Sequence, residues 1–149
     1  MEADAGGRTP PRYHVEDLIP QLAIIAEERP DALFVSSDTA LSSYPRPQQL
    51  AEFAINAHLP MINAFRIFTD AGGLMSYGAT TSELYTSGAE QVAKVLGGTQ
   101  PSELPVREAT RFELVINNWT AKALGLTIPP SLLVRADEVI ESTPPFATH

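Results

Sequence analysis

The sequence contains no cysteine and only three histidines. The absence of cysteine excludes disulfide bonds, thiolate metal ligands and a cysteine nucleophile. His14, His58 and His149 lie far apart along the chain and form no metal-binding spacing such as HExxH. We therefore predict that the protein holds no metal and no cofactor.

Basic residues are also scarce. Ten Lys and Arg side chains stand against eighteen Asp and Glu, which gives a formal net charge of −8. Such a surface repels phosphate backbones and anionic lipids. Nucleic acid and the membrane surface are therefore predicted to be poor partners.

Long hydrophobic runs are missing. No apolar stretch approaches the roughly 20 residues that are needed to span a bilayer. The first fourteen residues, MEADAGGRTPPRYH, are acidic and interrupted by Gly and Pro, and they lack the basic and apolar regions of a secretory signal. The residues as written predict a cytoplasmic location.

Motifs for catalysis are lacking as well. No GxSxG nucleophile elbow is present, and no histidine is placed to serve as a base for residues 36–38, Ser-Ser-Asp. The pair Gly72-Gly73 has neither the spacing nor the lysine of a phosphate-binding loop. We predict that the chain is not an enzyme.

What the sequence does contain is an alternation of helical and strand patterns. Thr80 and Glu83 form a capping-box pattern at the start of one helix. Gly88 lies inside that helix, where close packing on the sheet could offset its cost of about 1 kcal/mol relative to alanine. The order predicts an α/β fold with a Rossmann-like, mostly parallel sheet flanked by helices. The predicted segments are a flexible tail at 1–13, helices at 14–29, 47–57, 65–71, 80–97 and 119–124, strands at 32–36, 61–63, 74–78 and 111–117, a helical turn and strand within 131–140, and a flexible tail at 142–149.

An open sheet of this type binds ligands beyond the carboxyl ends of its strands. Three predicted loops lie at those ends, and their residues are the candidate ligand-binding set. The set comprises Ser37, Asp38, Thr39, Ala64, Phe65, Arg66, Ser76, Tyr77 and Gly78.

Each of the chemically informative residues has a second interpretation. Asp38 could accept hydrogen bonds from an ammonium or hydroxyl group, or cap a turn. Phe65 and Tyr77 could stack on an aromatic ligand group or belong to the core. Arg66 could pair with a carboxylate or form a surface salt bridge, and Ser76 could bind the same carboxylate or close a turn.

Two longer stretches resemble a known family. Residues 65–68 (FRIF) and 71–78 (AGGLMSYG) are similar to the FREFVEAGGLMSYG stretch of ABC-transporter substrate-binding proteins, in the group with tryptophan- and tyrosine-type uptake proteins. Residues 112–117 (FELVIN), 120–133 (TAKALGLTIPPSLL) and 135–141 (RADEVIE) resemble the closing part of the same family. The similarity runs from about His14 to Glu141.

The resemblance implies the type I periplasmic-binding architecture, in which two α/β lobes close around a small solute. Residues 14–141 resemble the carboxy-terminal lobe, so the implied function is that of a solute-binding component of an ABC importer, or a fragment of one. The implied solute is an amino acid or aromatic acid, the implied partners are the importer's membrane subunits, and the implied location is periplasmic. A lobe without its counterpart is predicted to self-associate through its exposed cleft face.

Two other functions remain open at this point. A ligand-sensing regulatory module can use the same type of lobe, without catalysis. A small enzyme with a flavodoxin-like sheet would need a phosphate loop or an acid–base pair, and the sequence supplies neither.

Overall fold

The computed structural model describes residues 18–142. The tail predicted at 1–13, the predicted helix start at His14 and all but Ser142 of the tail predicted at 142–149 lie outside these described residues. The elements are α1 (Leu18–Glu28), β1 (Leu33–Val35), α2 (Arg46–Asn56), β2 (Met61–Asn63), α3 (Arg66–Asp70), β3 (Met75–Ala79), α4 (Thr81–Leu96), a 3₁₀ turn (Pro101–Glu103), β4 (Phe112–Asn117), α5 (Asn118–Ala123), α6 (Pro130–Leu133) and β5 (Glu138–Ile140).

The five strands form one sheet in the order β1-β2-β3-β4-β5. The first three strands run parallel, β4 is antiparallel to β3, and β5 is parallel to β4. The predicted α/β fold with a mostly parallel sheet flanked by helices is confirmed. Because the direction reverses once, the carboxyl ends of β1, β2 and β3 share one edge with the amino ends of β4 and β5. We call this edge the rim.

The main core lies between the first three strands and helices α1, α2 and α3. Leu22 of α1, Leu50 of α2, Met61 of β2 and Phe68 of α3 are all buried there. Phe68 and Met61 are each 1 % exposed. The apolar periodicity of the first two helices thus faces the sheet, as their spacing predicts.

The second half of the sheet has a smaller buried centre. Val115 and Ile116 of β4 are fully buried, as is Ala121 of α5. Asn117 ends β4 and caps α5, because its side-chain oxygen accepts a hydrogen bond of 3.0 Å from the Thr120 backbone N–H. This cap explains why α5 begins one residue before the predicted start at Trp119.

Helix α4 begins where predicted, but the predicted capping box is wrong. Thr80 makes no side-chain cap hydrogen bond. Glu83 instead accepts hydrogen bonds from the backbone N–H and hydroxyl of Thr110 and from the backbone N–H of Arg111. Three donors on the returning chain satisfy the carboxylate better than the single N–H of a capping box would.

Gly88 does not pack on the sheet, so close helix-to-sheet packing does not offset its cost within α4. A Cβ added at Gly88 would meet nothing within 4 Å, and α4 carries no buried residue. Unlike α1 and α2, α4 does not use its apolar side to cover this sheet.

The buried core makes a direct prediction about stability. Phe68→Ala should lower the free energy of unfolding by about 3–5 kcal/mol, because it removes a fully buried ring and leaves a cavity. Phe34→Ala is the matched control, since Phe34 is 70 % exposed and its loss should cost under about 1 kcal/mol. Urea denaturation followed by circular dichroism measures both, and equal losses would contradict the assigned core.

Candidate functional site

Asn63 fixes the backbone at the centre of the rim. Its side chain is 1 % exposed and lies at the end of β2. The amide nitrogen donates a 2.5 Å hydrogen bond to the Val35 carbonyl at the end of β1, and the amide oxygen accepts one of 2.5 Å from the Phe65 N–H. One buried side chain therefore joins the ends of two strands and sets the path of the loop that carries Phe65 and Arg66.

Gly78 lets this loop pass directly over β3. A Cβ added at Gly78 would lie 2.2 Å from the Ala64 carbonyl oxygen. Only glycine allows so close an approach of the two backbones. Ser76 is two residues earlier in the same strand, so Ser76 and Gly78 share the sheet face beneath the loop.

Arg66 extends across this face and contacts three carboxylates. Its guanidinium binds Glu138 in a bidentate manner at 2.6 and 2.9 Å, Asp70 at 3.2 Å and Glu113 at 3.3 Å. The hydrogen bonds from Arg66 hold the pKa of Glu138 below its ordinary value. The salt-bridge interpretation of Arg66 therefore describes this structure, and its pairing with a ligand carboxylate stays a prediction.

Two cavities lie side by side at the rim, and Thr81 lines both of them. The first is polar and has a volume of about 330 Å³. It is lined by Ala64, Arg66, Ser76, Gly78, Ala79, Thr80, Thr81, Ser82, Arg111 and Glu113. The second is mainly apolar and has a volume of about 520 Å³. It is lined by Thr39, Ser42, Phe65, Ile67, Thr81, Leu84 and Tyr85.

Six of the nine predicted site residues line these cavities. Ala64, Arg66, Ser76 and Gly78 line the polar cavity. Thr39 and Phe65 line the apolar cavity. Whether they contact a solute stays a prediction.

The other three predicted residues line neither cavity. Ser37 is exposed. The Asp38 carboxylate accepts a 2.7 Å hydrogen bond from the Ala40 N–H, so in this structure Asp38 caps a turn. Tyr77 is 58 % exposed and stacks on Phe112 with ring centroids 5.7 Å apart. Because side chains alternate along a strand, Tyr77 points to the sheet face opposite Ser76 and Gly78.

Two prominent residues of the rim were not predicted. Arg111 lines the polar cavity and forms no ion pair with the residues that the structure describes. Tyr85 is 77 % exposed and lines the apolar cavity. Arg111 reaches the rim because the chain returns antiparallel after α4, whereas Tyr85 lies in the first turns of α4. If β4 had been predicted to run antiparallel to β3, Arg111, which directly precedes β4, would have been predicted at the rim.

A third cavity extends from the rim along α4, and it shares Thr80, Ser82 and Arg111 with the polar cavity. It has a volume of about 850 Å³ and separates α4 from residues 106–111. Two of its three acidic groups already have partners in this chain, because Glu83 accepts from Thr110 and Glu90 pairs with Arg107 at 2.5 Å. The rim cavities are therefore the better candidate site.

Between residues 18 and 142 no cluster of His, Asp and Glu side chains is arranged to hold a metal ion. Over the same residues no helix is long and apolar enough to cross a bilayer.

This chain folds into a mostly parallel α/β sheet that has helices on its faces and cavities at one rim. Lobes of the periplasmic binding proteins have the same architecture. Residues 15–140 match the family model described as "ABC transporter substrate binding protein". The chain belongs to this family.

Solved structures agree with this assignment. A conserved domain protein from Vibrio cholerae O1 biovar El Tor is 29 % identical with a TM-score of 0.76, over 84 % of this chain and 41 % of that one. An ABC domain from Streptococcus pneumoniae in complex with L-Trp is 25 % identical with a TM-score of 0.75, over 85 % and 42 %. The ligand-free, open substrate-binding protein CD0873 from Clostridium difficile, at 21 % identity over 87 % and 42 %, shares the fold with a TM-score of 0.59.

The chain thus spans about 41–42 % of the length of the solved chains that it matches. A search of curated proteins found no match.

The bridging role of Asn63 predicts a large loss of stability on truncation. Asn63→Ala leaves the Val35 carbonyl and the Phe65 N–H without their partner and should cost about 2–4 kcal/mol in free energy of unfolding. Asn118→Ala is the matched control, because its amide bonds Glu141 at the surface and its loss should cost under about 1 kcal/mol. Urea denaturation compares them, and a cost for Asn63→Ala no larger than the control's would contradict the bridge.

The contacts between Arg66 and Glu138 predict a dependence of stability on pH. The folded pKa of Glu138 lies below its ordinary value of 4.5, so its stabilising contribution is present above that value and is lost as the pH falls through the folded pKa. Glu138→Gln should therefore flatten the fall in the free energy of unfolding between about pH 6 and pH 3. Glu52→Gln, an exposed position on α2, should leave the wild-type profile unchanged, and parallel profiles for all three proteins would contradict the prediction.

Proposed function

We propose that this chain is a solute-binding component of an ABC importer and that it binds a small organic solute, an amino acid or aromatic acid, at the rim. The observation that supports the proposal best is the adjacency of two unlike cavities. One presents Arg111 and the first turn of α4, and the other presents Phe65 and Tyr85. A zwitterionic solute with an apolar side chain has the same division into a charged end and an apolar end.

The charged end of the solute would occupy the polar cavity. Arg66 is engaged with Asp70, Glu113 and Glu138, so Arg111 is the guanidinium with capacity for a new carboxylate. The first backbone N–H groups of a helix have no intrahelical partner, and the side chain of Thr80 does not cap those of α4. Both features favour an anionic group beside Thr81 and Arg111.

The apolar end would occupy the neighbouring cavity. Its volume of about 520 Å³ falls within the usual range of small-molecule sites, and Phe65 and Tyr85 offer two rings for stacking. The Streptococcus pneumoniae relative is in complex with L-Trp, which supports an aromatic amino acid as the solute here.

The proposed role is binding without chemistry. No histidine lines either rim cavity, so no side chain there is paired with an imidazole base. In the proposed cycle the solute is enclosed by closure of two lobes outside the cytoplasmic membrane and passed to the importer's membrane subunits. A ligand-sensing module would use the same cavities, and no contact in this structure favours it.

Nuclear magnetic resonance titration of this chain with L-Trp tests the proposal. We expect millimolar affinity, because a single lobe encloses only part of the solute. The amide resonances of Thr81, Ser82, Tyr85 and Arg111 should shift together along one saturable curve. Glycine, which lacks an apolar end, should bind at least about tenfold more weakly.

Two arginine variants distinguish binding at the rim from binding elsewhere on the surface. Arg111→Gln should weaken L-Trp binding at least about fivefold by removing a charge-assisted hydrogen bond. Arg107→Gln, on the same loop but paired with Glu90 away from the rim, should bind like the wild type. No saturable shift with L-Trp, L-Tyr, L-Phe or indole acetate, or equal effects of the two variants, would contradict the proposal.

A further inference from the structure

Glu113 is the least engaged of the three carboxylates around Arg66. Glu138 binds the guanidinium with both oxygens at 2.6 and 2.9 Å, and Asp70 binds it with both at 3.2 Å. Glu113 makes one contact of 3.3 Å through Oε1, which is longer than the about 2.7–2.9 Å of a strong charge-assisted hydrogen bond. Within residues 18–142 its Oε2 atom accepts no hydrogen bond. The carboxylate of Glu113 therefore keeps capacity for a further donor.

Glu113 also lines the polar cavity, whereas Asp70 and Glu138 do not. It pairs directly with Gly78 across β3 and β4, so both residues face the same side of the sheet. Because Gly78 has no side chain, nothing from that position of β3 covers the carboxylate. The side chain of Glu113 is 27 % exposed and is accessible to a solute in the cavity.

Two hydroxyl groups of the same cavity lack a partner. Ser76 is 2 % exposed, and its side chain makes no hydrogen bond with the part of the chain that the structure describes. The hydroxyl oxygen of Thr80 is buried and has no partner there either. Buried polar groups are nearly always hydrogen-bonded, so this pair indicates that the cavity receives an occupant with polar atoms.

Arg111 gives the cavity a positive charge close to Glu113. It lies two residues earlier in the chain, and along extended backbone this spacing puts two side chains on one face with Cα atoms about 7 Å apart. Among the described residues the two side chains form no ion pair with each other. One negative and one positive group are thus presented together to the same occupant.

We propose that Glu113 binds the ammonium group of the solute while Arg111 binds its carboxylate, so that the polar cavity selects α-amino acids over carboxylic acids of the same shape. This inference rests on the proposed function and narrows its solute class to zwitterions. Arg66 and its three carboxylates have a formal charge of −2. An ammonium group reduces this imbalance, and an acid without one leaves it unchanged.

Glu113 has a second possible role, which is to hold Arg66 in place. Glu138 separates the two roles because it binds Arg66 more closely and does not line the cavity. Glu138→Gln removes the charge of the closest partner of Arg66 and leaves the Glu113 carboxylate where it is. Glu113→Gln removes the cavity carboxylate and leaves the bidentate contact between Arg66 and Glu138.

Three compounds with one indole skeleton test the proposal by nuclear magnetic resonance titration. L-Trp carries both charged groups, indole-3-propionate lacks the ammonium group, and tryptamine lacks the carboxylate. The wild type should bind L-Trp at least about fivefold more tightly than either of the others, because each of them forfeits one charge-assisted hydrogen bond.

The variants should separate the two ends of the solute. Glu113→Gln should weaken binding of L-Trp and of tryptamine at least about fivefold, and it should not weaken binding of indole-3-propionate, which has no cationic group. Arg111→Gln should weaken binding of L-Trp and of indole-3-propionate and should not weaken binding of tryptamine. The dispersion of the amide resonances shows in the same spectra that each variant is folded.

Glu138→Gln is the matched control. We expect the ratio of the affinities for L-Trp and indole-3-propionate to stay within about twofold of the wild-type ratio, because both compounds carry the carboxylate that a released Arg66 would attract. A ratio that falls as far in Glu138→Gln as in Glu113→Gln would show that Glu113 acts through Arg66, and it would overturn the proposal.

Two further outcomes count against Glu113 and leave the proposed function in place. These are equal affinities of the wild type for L-Trp and indole-3-propionate, and a Glu113→Gln variant that loses affinity for both compounds equally, with Arg111→Gln still weakening both. Absence of saturable binding by all three compounds would instead overturn the proposed function, and this inference with it.

Discussion

The rim depends on one buried amide. Asn63 satisfies the last carbonyl of β1 and the Phe65 N–H in the loop after β2, and its side chain is 1 % exposed. The loop that it holds then passes within contact of Gly78, where any larger residue would collide with the Ala64 carbonyl. The positions of Phe65 and Arg66, and with them both cavities, follow from these two contacts.

The two arginines at the rim are in different electrostatic environments. Arg66 lies among three carboxylates, a cluster that retains a net negative charge after pairing. Arg111 has no ion-pair partner among residues 18–142, and its backbone is held to α4 by Glu83 and Thr80. Arg66 therefore ties α3 to β4 and β5, whereas Arg111 contributes positive potential to the polar cavity.

The sequence was sufficient to predict the elements and the sheet type, because these depend on local periodicity. The apolar spacing of α1 and α2, the short apolar strands and the glycine pairs after α3 and α4 all lie where local pattern places them. The family resemblance carried by residues 65–78 and 112–141 is confirmed by the family model. The strand-end rule also led to six residues that do line the rim cavities.

Other features depend on contacts between distant parts of the chain, and local pattern could not show them. Glu83 has the spacing of a capping box, but its partners are Thr110 and Arg111, which approach only after the chain reverses. The prediction that residues 76–78 form a strand-end loop is wrong, because they lie within β3. Tyr77 faces away from the cavities, because strand alternation places it on the same face as Phe112. Asn63 and Asn117 look like ordinary polar residues at strand ends until their burial is known.

The reversal between β3 and β4 couples the shapes of the two rim cavities. Both ends of the connection that contains α4 are fixed at the same edge of the sheet, by Ala79 on one side and Phe112 on the other. A small tilt of the helix would therefore move Thr81, Ser82 and Tyr85 together and change the shape of both cavities at once. Substitution of Phe65 or Leu84 would instead change the apolar cavity alone, because neither residue lines the polar one. Repositioning of α4 and replacement of a lining side chain are thus two distinct ways to reshape the rim.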